Sequence, residues 1–194
     1  MTAKIKLNAA SGGGSFSLQA PSSSANTRVM TLPDTADGTI LTTTNPKAGN
    51  IIQVLQNAKL DTASTASATY ATILSQQITR SSTSNGVLIT FTVYVSSPAS
   101  SVPAIAFNIV RDSTNIAQSS GSPTIKATTL EYIQALSMNR HTVEFYDETP
   151  PSTNPITYNI QWARIGTGTA YLGRYYASDD YYAPSYLILK EVAA

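Results

Sequence analysis

The sequence predicts an all-β protein, in which an N-terminal stalk or attachment segment of short strands precedes a jelly-roll β-sandwich. Helical periodicity of apolar residues is almost absent from the 194 residues. Short runs instead alternate between apolar and polar residues, most clearly over residues 87–95. Clusters of Ser, Gly, Asn and Pro, such as 81–86 and 149–155, separate these runs at regular spacing.

Residues 1–50 are predicted to be the attachment segment, because they hold apolar stubs too short to form a core. Spacers rich in glycine, serine and proline, such as 12–14 and 21–24, separate the stubs. A segment of this kind orders only when another surface covers it. The candidate attachment residues are Ile5, Leu7, Phe16, Leu18, Met30 and Leu32.

Residues 51–194 are predicted to form the sandwich, and residues 45–50 the hinge that precedes it. Alternation places Phe91 among the core-facing residues of its strand, and it places Trp162 in the core. Segment 128–139 fits helical spacing and strand alternation, and it is interpreted as one strand. The predicted strands are 51–60, 70–78, 87–95, 104–110, 128–139, 141–146, 156–165, 168–173 and 186–192.

Composition excludes several function classes. The formal net charge is +1 and no basic patch is present, which argues against nucleic-acid binding. No apolar run reaches the twenty residues that a membrane-spanning helix needs. The absence of cysteine excludes disulfides and thiolate sites. Only 12% of the residues are charged, about half the usual share, which is typical of a hydroxyl-rich surface or of one covered by neighbouring subunits.

The sequence predicts no enzyme, no metal site and no cofactor. Asp147–Glu148 and Asp179–Asp180 are the only adjacent carboxylates, and neighbours on an extended chain point to opposite faces, unlike a glycosidase pair. Asp147–Glu148 is interpreted as a solvated strand end, and Asp179–Asp180 as solvated or as ligands of a calcium ion. His141 is the sole histidine, so a zinc site lacks partners. No G-x-S-x-G elbow is present.

A tyrosine cluster near the C-terminus is the candidate recognition site. Five of the 11 tyrosines lie between residues 175 and 186, interleaved with serine and aspartate. Tyrosine offers a large amphipathic contact area, so the cluster predicts either a recognition loop for sugars or an interface between subunits. Tyr186 is the strongest interface candidate. The candidate receptor-binding residues are Tyr175, Tyr176, Asp179, Asp180, Tyr181 and Tyr182.

Stretches at both ends of the chain resemble the short fibre proteins of bacteriophages, notably of cyanophages. Residues 32–43, LPDTADGTILTT, preceded by the lysine-containing stub 5–7, resemble the N-terminal attachment segment of those fibres. Residues 158–162, 168–172 and 187–192 resemble the last strands of their globular tips, which are similar to trimeric jelly rolls of the TNF/C1q type.

The resemblance implies a complete short fibre located in the virion. It implies a homotrimer that docks on other virion proteins of the tail, the baseplate or the capsid. The implied function is a trimeric tail fibre that attaches to a host-surface glycan. The alternative is a capsid head fibre, or a cement or decoration protein, that stabilises the shell.

Overall fold

The structure, a computed structural model, describes residues 4–8, 10–19, 22–23, 25, 46–98, 104–120, 125–133, 137–178 and 180–194. The chain divides into two compact units, Met1–Ile40 and Leu41–Ala194. Among the candidate attachment residues, Met30 and Leu32 lie outside the described ranges. The same is true of the Asp179 half of the second carboxylate pair.

The described part of the chain is all-β, as the alternation of the sequence predicts. It contains no helix long and apolar enough to cross a membrane. The strands are β1 (Lys4–Asn8), β2 (Ser15–Gln19), β3 (Ile51–Lys59), β4 (Ala63–Thr65), β5 (Ala71–Ile78), β6 (Gly86–Ser96), β7 (Ala104–Arg111), β8 (Thr114–Asn115), β9 (Thr129–Tyr132), β10 (Met138–Asp147), β11 (Ile156–Ile165), β12 (Ala170–Leu172) and β13 (Ser185–Val192).

The larger unit is a jelly roll of two antiparallel sheets. Sheet I has the order β3-β13-β6-β10, and sheet II has the order β5-β11-β7-β9. Among these eight strands, the first, eighth, third and sixth form one sheet, and the second, seventh, fourth and fifth form the other. This order is the strand arrangement of a jelly roll. The short β12 and β4 extend sheet I beside the end of β6, and β8 pairs with β7 in sheet II.

The core lies between the sheets, where the predicted faces meet. The inward residues of β6 are fully buried, and Trp162 is only 3% exposed, which confirms the prediction for both. The rings of Phe91 from sheet I and Phe107 from sheet II pack with their centroids 5.8 Å apart. The buried residues of β6 are Val87, Ile89, Phe91, Val93 and Val95.

The interpretation of segment 128–139 as one strand was wrong. β9 ends at Tyr132 and pairs with β7 in sheet II, whereas β10 begins at Met138 and pairs with β6 in sheet I. The chain therefore crosses between the sheets inside this segment. An alternating pattern does not reveal such a crossing, because strands in both sheets turn every second residue inward.

Side chains close both open edges of the sandwich. Where β3 faces β5, the amides of Gln53 and Asn57 each donate a hydrogen bond of 2.7 Å, to the carbonyls of Thr79 and Ser75. At the opposite edge, His141 Nδ1 of β10 lies 2.9 Å from Glu131 Oε2 of β9. These contacts use polar groups that unpaired edge strands would otherwise leave exposed.

The chain enters the sandwich at one end, and the segment that precedes β13 lies at the other end. The chain enters it beside its own C-terminus, where Gly49 N donates to Ala193 O and Ala193 N donates to Asn50 O, each over 2.9 Å. β13 runs antiparallel to β3 and pairs Val192 with Ile51. The segment that precedes β13 therefore lies at the other end, about 25 Å away at the rise of an extended strand.

The described part of the smaller unit is a two-stranded hairpin. β1 and β2 are antiparallel, with Ile5 opposite Leu18. The turn between them includes Gly12 and Gly13, whose φ values of 82° and 71° suit glycine. The side chains of Ile5, Leu7 and Leu18 are exposed by 64%, 58% and 38%.

Candidate functional site

The tyrosine loop, residues 173–184 between β12 and β13, contains all six candidate receptor-binding residues, of which Asp179 lies outside the described ranges. Its two arms are held together by backbone contacts. Tyr175 N donates to Tyr181 O over 3.1 Å, Ala183 N donates to Gly173 O over 3.0 Å, and Arg174 forms an antiparallel bridge with Tyr182. The loop is therefore a folded projection from the end of the sandwich.

Three tyrosine rings of the loop pack on one another. The centroids of Tyr175 and Tyr176 lie 4.8 Å apart, and those of Tyr175 and Tyr181 lie 6.1 Å apart with the rings nearly perpendicular. Such tilted and edge-to-face pairs are the favoured geometry for aromatic side chains. Tyr181 and Tyr182 remain 65% and 57% exposed. The loop thus presents aromatic surface to solvent from a packed base.

Polar groups accompany these rings. Burial, followed by a hydrogen bond with Tyr175, raises the pKa of Tyr176, so its phenol stays neutral at physiological pH. Ser178 Oγ donates to Asp180 Oδ2 over 2.7 Å, and Asp180 N donates to Ser178 Oγ over 3.0 Å. These bonds fix the exposed carboxylate of Asp180 next to the aromatic cluster. Neutral phenols and an oriented carboxylate can both bond to sugar hydroxyls.

Sequence reasoning missed the base of the loop. The guanidinium carbon of Arg174 lies 4.8 Å from the centroid of the Tyr171 ring, a cation–π contact. Ser96 Oγ donates to Arg174 O over 2.7 Å. Tyr171 and Arg174 line a depression of about 270 Å³ together with Thr62 and Ser64. The sequence offered one signal for this base, because Arg174 directly precedes the pair Tyr175–Tyr176. That residues 62–64 lie beside Arg174 could be seen only in the folded structure.

Tyr186 belongs to a different surface, the outer face of sheet I. It lies on β13, opposite Ala58 of β3 and Thr92 of β6. Strand alternation assigns three rows of residues to this face across the four strands. The rows are Val54–Lys190–Leu88–Tyr146, Gln56–Ile188–Thr90–Glu144 and Ala58–Tyr186–Thr92–Thr142. Most of these residues are apolar or carry hydroxyl groups, and Val54 is 55% exposed.

The interpretation of Asp147 as part of a solvated strand end was wrong. Asp147 is only 6% exposed. It accepts hydrogen bonds of 2.8 Å from Arg111 Nη1 and of 2.7 Å from the Tyr158 hydroxyl. Burial, followed by the hydrogen bond to Asp147, raises the pKa of Tyr158 well above its ordinary value. The neighbouring Glu148 is exposed, as predicted.

The described residues form no cluster of three or more His, Cys, Asp or Glu that could hold a metal ion. His141 instead pairs with Glu131, and its ring stacks on Phe107 with the centroids 5.4 Å apart. The two buried carboxylates among the described residues, Asp147 and Glu191, hold neighbouring groups together. These three residues thus have structural partners.

The fold and the loop define the class: a jelly-roll protein with an aromatic projection at one end. No protein-family model and no curated protein matches the chain. Among solved structures, it is similar to a chain from the structure of infectious bursal disease virus, Gx strain, with 14% identity, a TM-score of 0.43 and coverage of 93% of this chain and 43% of the viral one. For the Gt strain the values are 12%, 0.44, 94% and 48%. The chain thus spans less than half the length of these viral chains.

Proposed function

We propose that this protein is a virion structural protein of a bacteriophage, a trimeric tail fibre whose jelly-roll tip attaches to a host-surface glycan. The observation that carries the proposal is that the chain entry and the tyrosine loop lie at opposite ends of the sandwich. The chain enters at residues 49–51, and the tyrosine loop projects from the opposite end. A fibre needs this arrangement, because one end of the tip must stay free for the receptor while the other leads to the particle.

The N-terminal hairpin supports the attachment role. An isolated two-stranded hairpin is marginally stable in water. This hairpin exposes Ile5, Leu7 and Leu18, and an apolar set of that kind gains stability when a partner covers it. The partners that we propose are other virion proteins of the tail, the baseplate or the capsid.

The outer face of sheet I supports the trimer. A solvent-facing sheet normally alternates polar residues outward, yet this face carries Leu88, Ile188 and Tyr186 in its two middle strands. Covering it with copies of the same face would remove that apolar area from water. Three copies would also present three tyrosine loops, and linked weak sites give high avidity.

The test substitutes the two most exposed tyrosines of the loop. Particles assembled with the Tyr181→Ala, Tyr182→Ala variant should contain normal amounts of the protein and adsorb to host cells at least about tenfold less. Tyr132→Ala is the matched control, because Tyr132 is 73% exposed and lies outside the loop. Unchanged adsorption would contradict the tail-fibre proposal. Particles that lack the protein and lose their genome on heating would then favour the capsid alternative.

A further inference from the structure

We propose that the base of the tyrosine loop is a second subsite of the receptor-binding surface, so that the ligand is an extended glycan chain and not a single sugar. The base subsite is the depression of about 270 Å³ lined by Thr62, Ser64, Tyr171 and Arg174. One sugar residue of the chain lies in this depression while its neighbour lies on the tyrosine rings. The inference rests on the proposed function, because it takes the receptor to be a glycan.

The strand register places the lining side chains on one face. Tyr171 of β12 lies directly opposite Ser64 of β4. Residues paired in this way on neighbouring strands project from the same face of a sheet. The next pair, Leu172 and Ala63, projects from the other face, where Leu172 is fully buried in the core. Tyr171 and Ser64 therefore both point out of the sandwich and into the depression.

A stacked pair of flat side chains gives the depression a fixed wall. The guanidinium carbon of Arg174 lies 4.8 Å from the centroid of the Tyr171 ring. The backbone of Arg174 is held as well, because its carbonyl accepts the 2.7 Å hydrogen bond from Ser96 Oγ. A cation–π contact of this kind stabilises both side chains in one arrangement. The wall is therefore in place before a ligand arrives.

Three hydroxyl groups line the depression, those of Thr62, Ser64 and Tyr171. None of the three has a hydrogen-bond partner within the described ranges. Ser64 is exposed and Thr62 is half-buried, so a ligand can reach both. Each hydroxyl can donate and accept a hydrogen bond, as the hydroxyls of a sugar do. The volume is just below the range of about 300–1,000 Å³ found for drug-sized ligands, and it suits a single sugar ring.

The depression adjoins the tyrosine rings directly. Arg174 of its wall immediately precedes Tyr175 of the ring cluster, and consecutive Cα atoms are about 3.8 Å apart. Arg174 also forms the antiparallel bridge with Tyr182, which is 57% exposed. A glycan chain that lies on the rings can therefore continue into the depression without a gap.

Gly173 fixes the position of the loop relative to the depression. Its φ is 73°, and a Cβ at this residue would lie 3.3 Å from Ala183 O and 3.4 Å from Asp61 O. The turn that leads to Thr62 therefore lies close against the base of the loop, in a conformation that suits glycine. Gly173 N also donates to Tyr94 O over 2.8 Å. Because both subsites are held in this way, binding has a lower ordering cost.

The experiment measures how the affinity depends on the length of the glycan. The probes are pieces of the surface polysaccharide of host cells, cleaved by acid and fractionated into lengths of one to six sugar residues. NMR and calorimetry follow their binding to the full-length protein. We expect the affinity to rise by about tenfold or more between single sugars and pieces that fill both subsites, because the second contact costs no further loss of translational freedom.

Variants locate the second subsite. The Thr62→Val, Ser64→Ala double variant removes two hydroxyls at little change in volume, and it should remove most of the gain in affinity with length, about tenfold. Ser64→Trp adds a bulky side chain at an exposed position of the lining and should have the same effect. Thr72→Val is the matched control, because it removes a hydroxyl from an exposed position of β5 in sheet II. It should bind every length as the unmodified protein does.

The second subsite and the proposed function can fail separately. Single sugars that bind as tightly as the longer pieces would overturn the subsite. So would a full gain with length in both the double variant and Ser64→Trp. If the Tyr181→Ala, Tyr182→Ala variant still loses binding in that case, the proposed function stands and only the subsite is rejected. If the unmodified protein binds no piece of any length, the glycan receptor is rejected, and the subsite with it.

Discussion

The hydroxyl of Tyr158 donates a hydrogen bond of 2.7 Å to Asp147 Oδ2, and this bond joins the two sheets of the jelly roll. Tyr158 lies on β11 of sheet II, and Asp147 ends β10 of sheet I. Arg111 of β7 completes the contact from sheet II, with its Nη1 2.8 Å from the same carboxylate. The buried acid therefore connects three strands that burial of apolar residues alone would leave free to slide.

We expect Tyr158→Phe to lower the free energy of unfolding by about 1.5–3 kcal/mol, the usual net value of a hydrogen bond to a charged group. The aromatic ring stays in place, so the change reports the hydroxyl alone. Urea unfolding followed by tryptophan fluorescence measures it. Tyr132→Phe, at an exposed position, controls for the loss of a hydroxyl. Equal stability of the two variants would show that the Asp147 contact adds nothing.

Arg80 should be the most costly polar residue to remove. It is 2% exposed and donates to five backbone carbonyls, those of Ser82, Thr83, Asn85, Pro150 and Ser152. Arg80→Met should lower stability by about 3 kcal/mol or more, because several buried carbonyls lose their donors.

Arg80→Lys should recover only part of that loss, since lysine has fewer donors on a different geometry. Hydrogen exchange should show faster opening of loops 79–85 and 148–155 in both variants. If Arg80→Lys is as stable as the original protein, the positive charge of Arg80, and not its five hydrogen bonds, stabilises the two loops.

The buried carboxylate of Glu191 should make the free energy of unfolding depend on pH. Burial alone would raise its pKa, but hydrogen bonds from Asn85, Gln53 and Ser81 outweigh it and lower the pKa below the ordinary 4.5. The carboxylate therefore stabilises the fold fully above about pH 4.5, and this contribution is lost as the pH falls through the lower folded pKa.

Unfolding measured from pH 7 to pH 3 should show Glu191→Gln less stable at neutral pH, by roughly 2 kcal/mol. Its stability should decline less steeply below pH 4.5. Glu148→Gln, which removes one exposed negative charge, is the matched control. Parallel pH profiles for the original protein and Glu191→Gln would contradict the assignment.

The outer face of sheet I predicts the oligomeric state. Analytical ultracentrifugation should give a mass three times the 20.6 kDa of the chain. Ile188→Glu should shift the protein to monomers, because it buries charge in the proposed interface. Thr72→Glu, at an exposed position of β5 in sheet II, should leave the mass unchanged. A monomeric original protein would reject the trimer.

Local alternation was a reliable guide where a strand has one buried face. It identified the inward residues of β6 and placed Trp162 in the core, because a period of two directly reflects burial on one side of a sheet. It failed between β9 and β10, because the same alternation is present on both sides of the point where the chain passes from sheet II to sheet I. It also failed at Asp147, whose buried partners come from β7 and β11.

By itself the sequence determined the β class, most strand positions, the core faces of β6 and β11 and the clustering of tyrosines, since each depends on residues close together along the chain. Only the tertiary structure decided the sheet order, the opposite placement of chain entry and tyrosine loop, and the pairing of buried charges. Those features depend on contacts between distant strands, and the hydrophobic pattern is the same for many ways of pairing them.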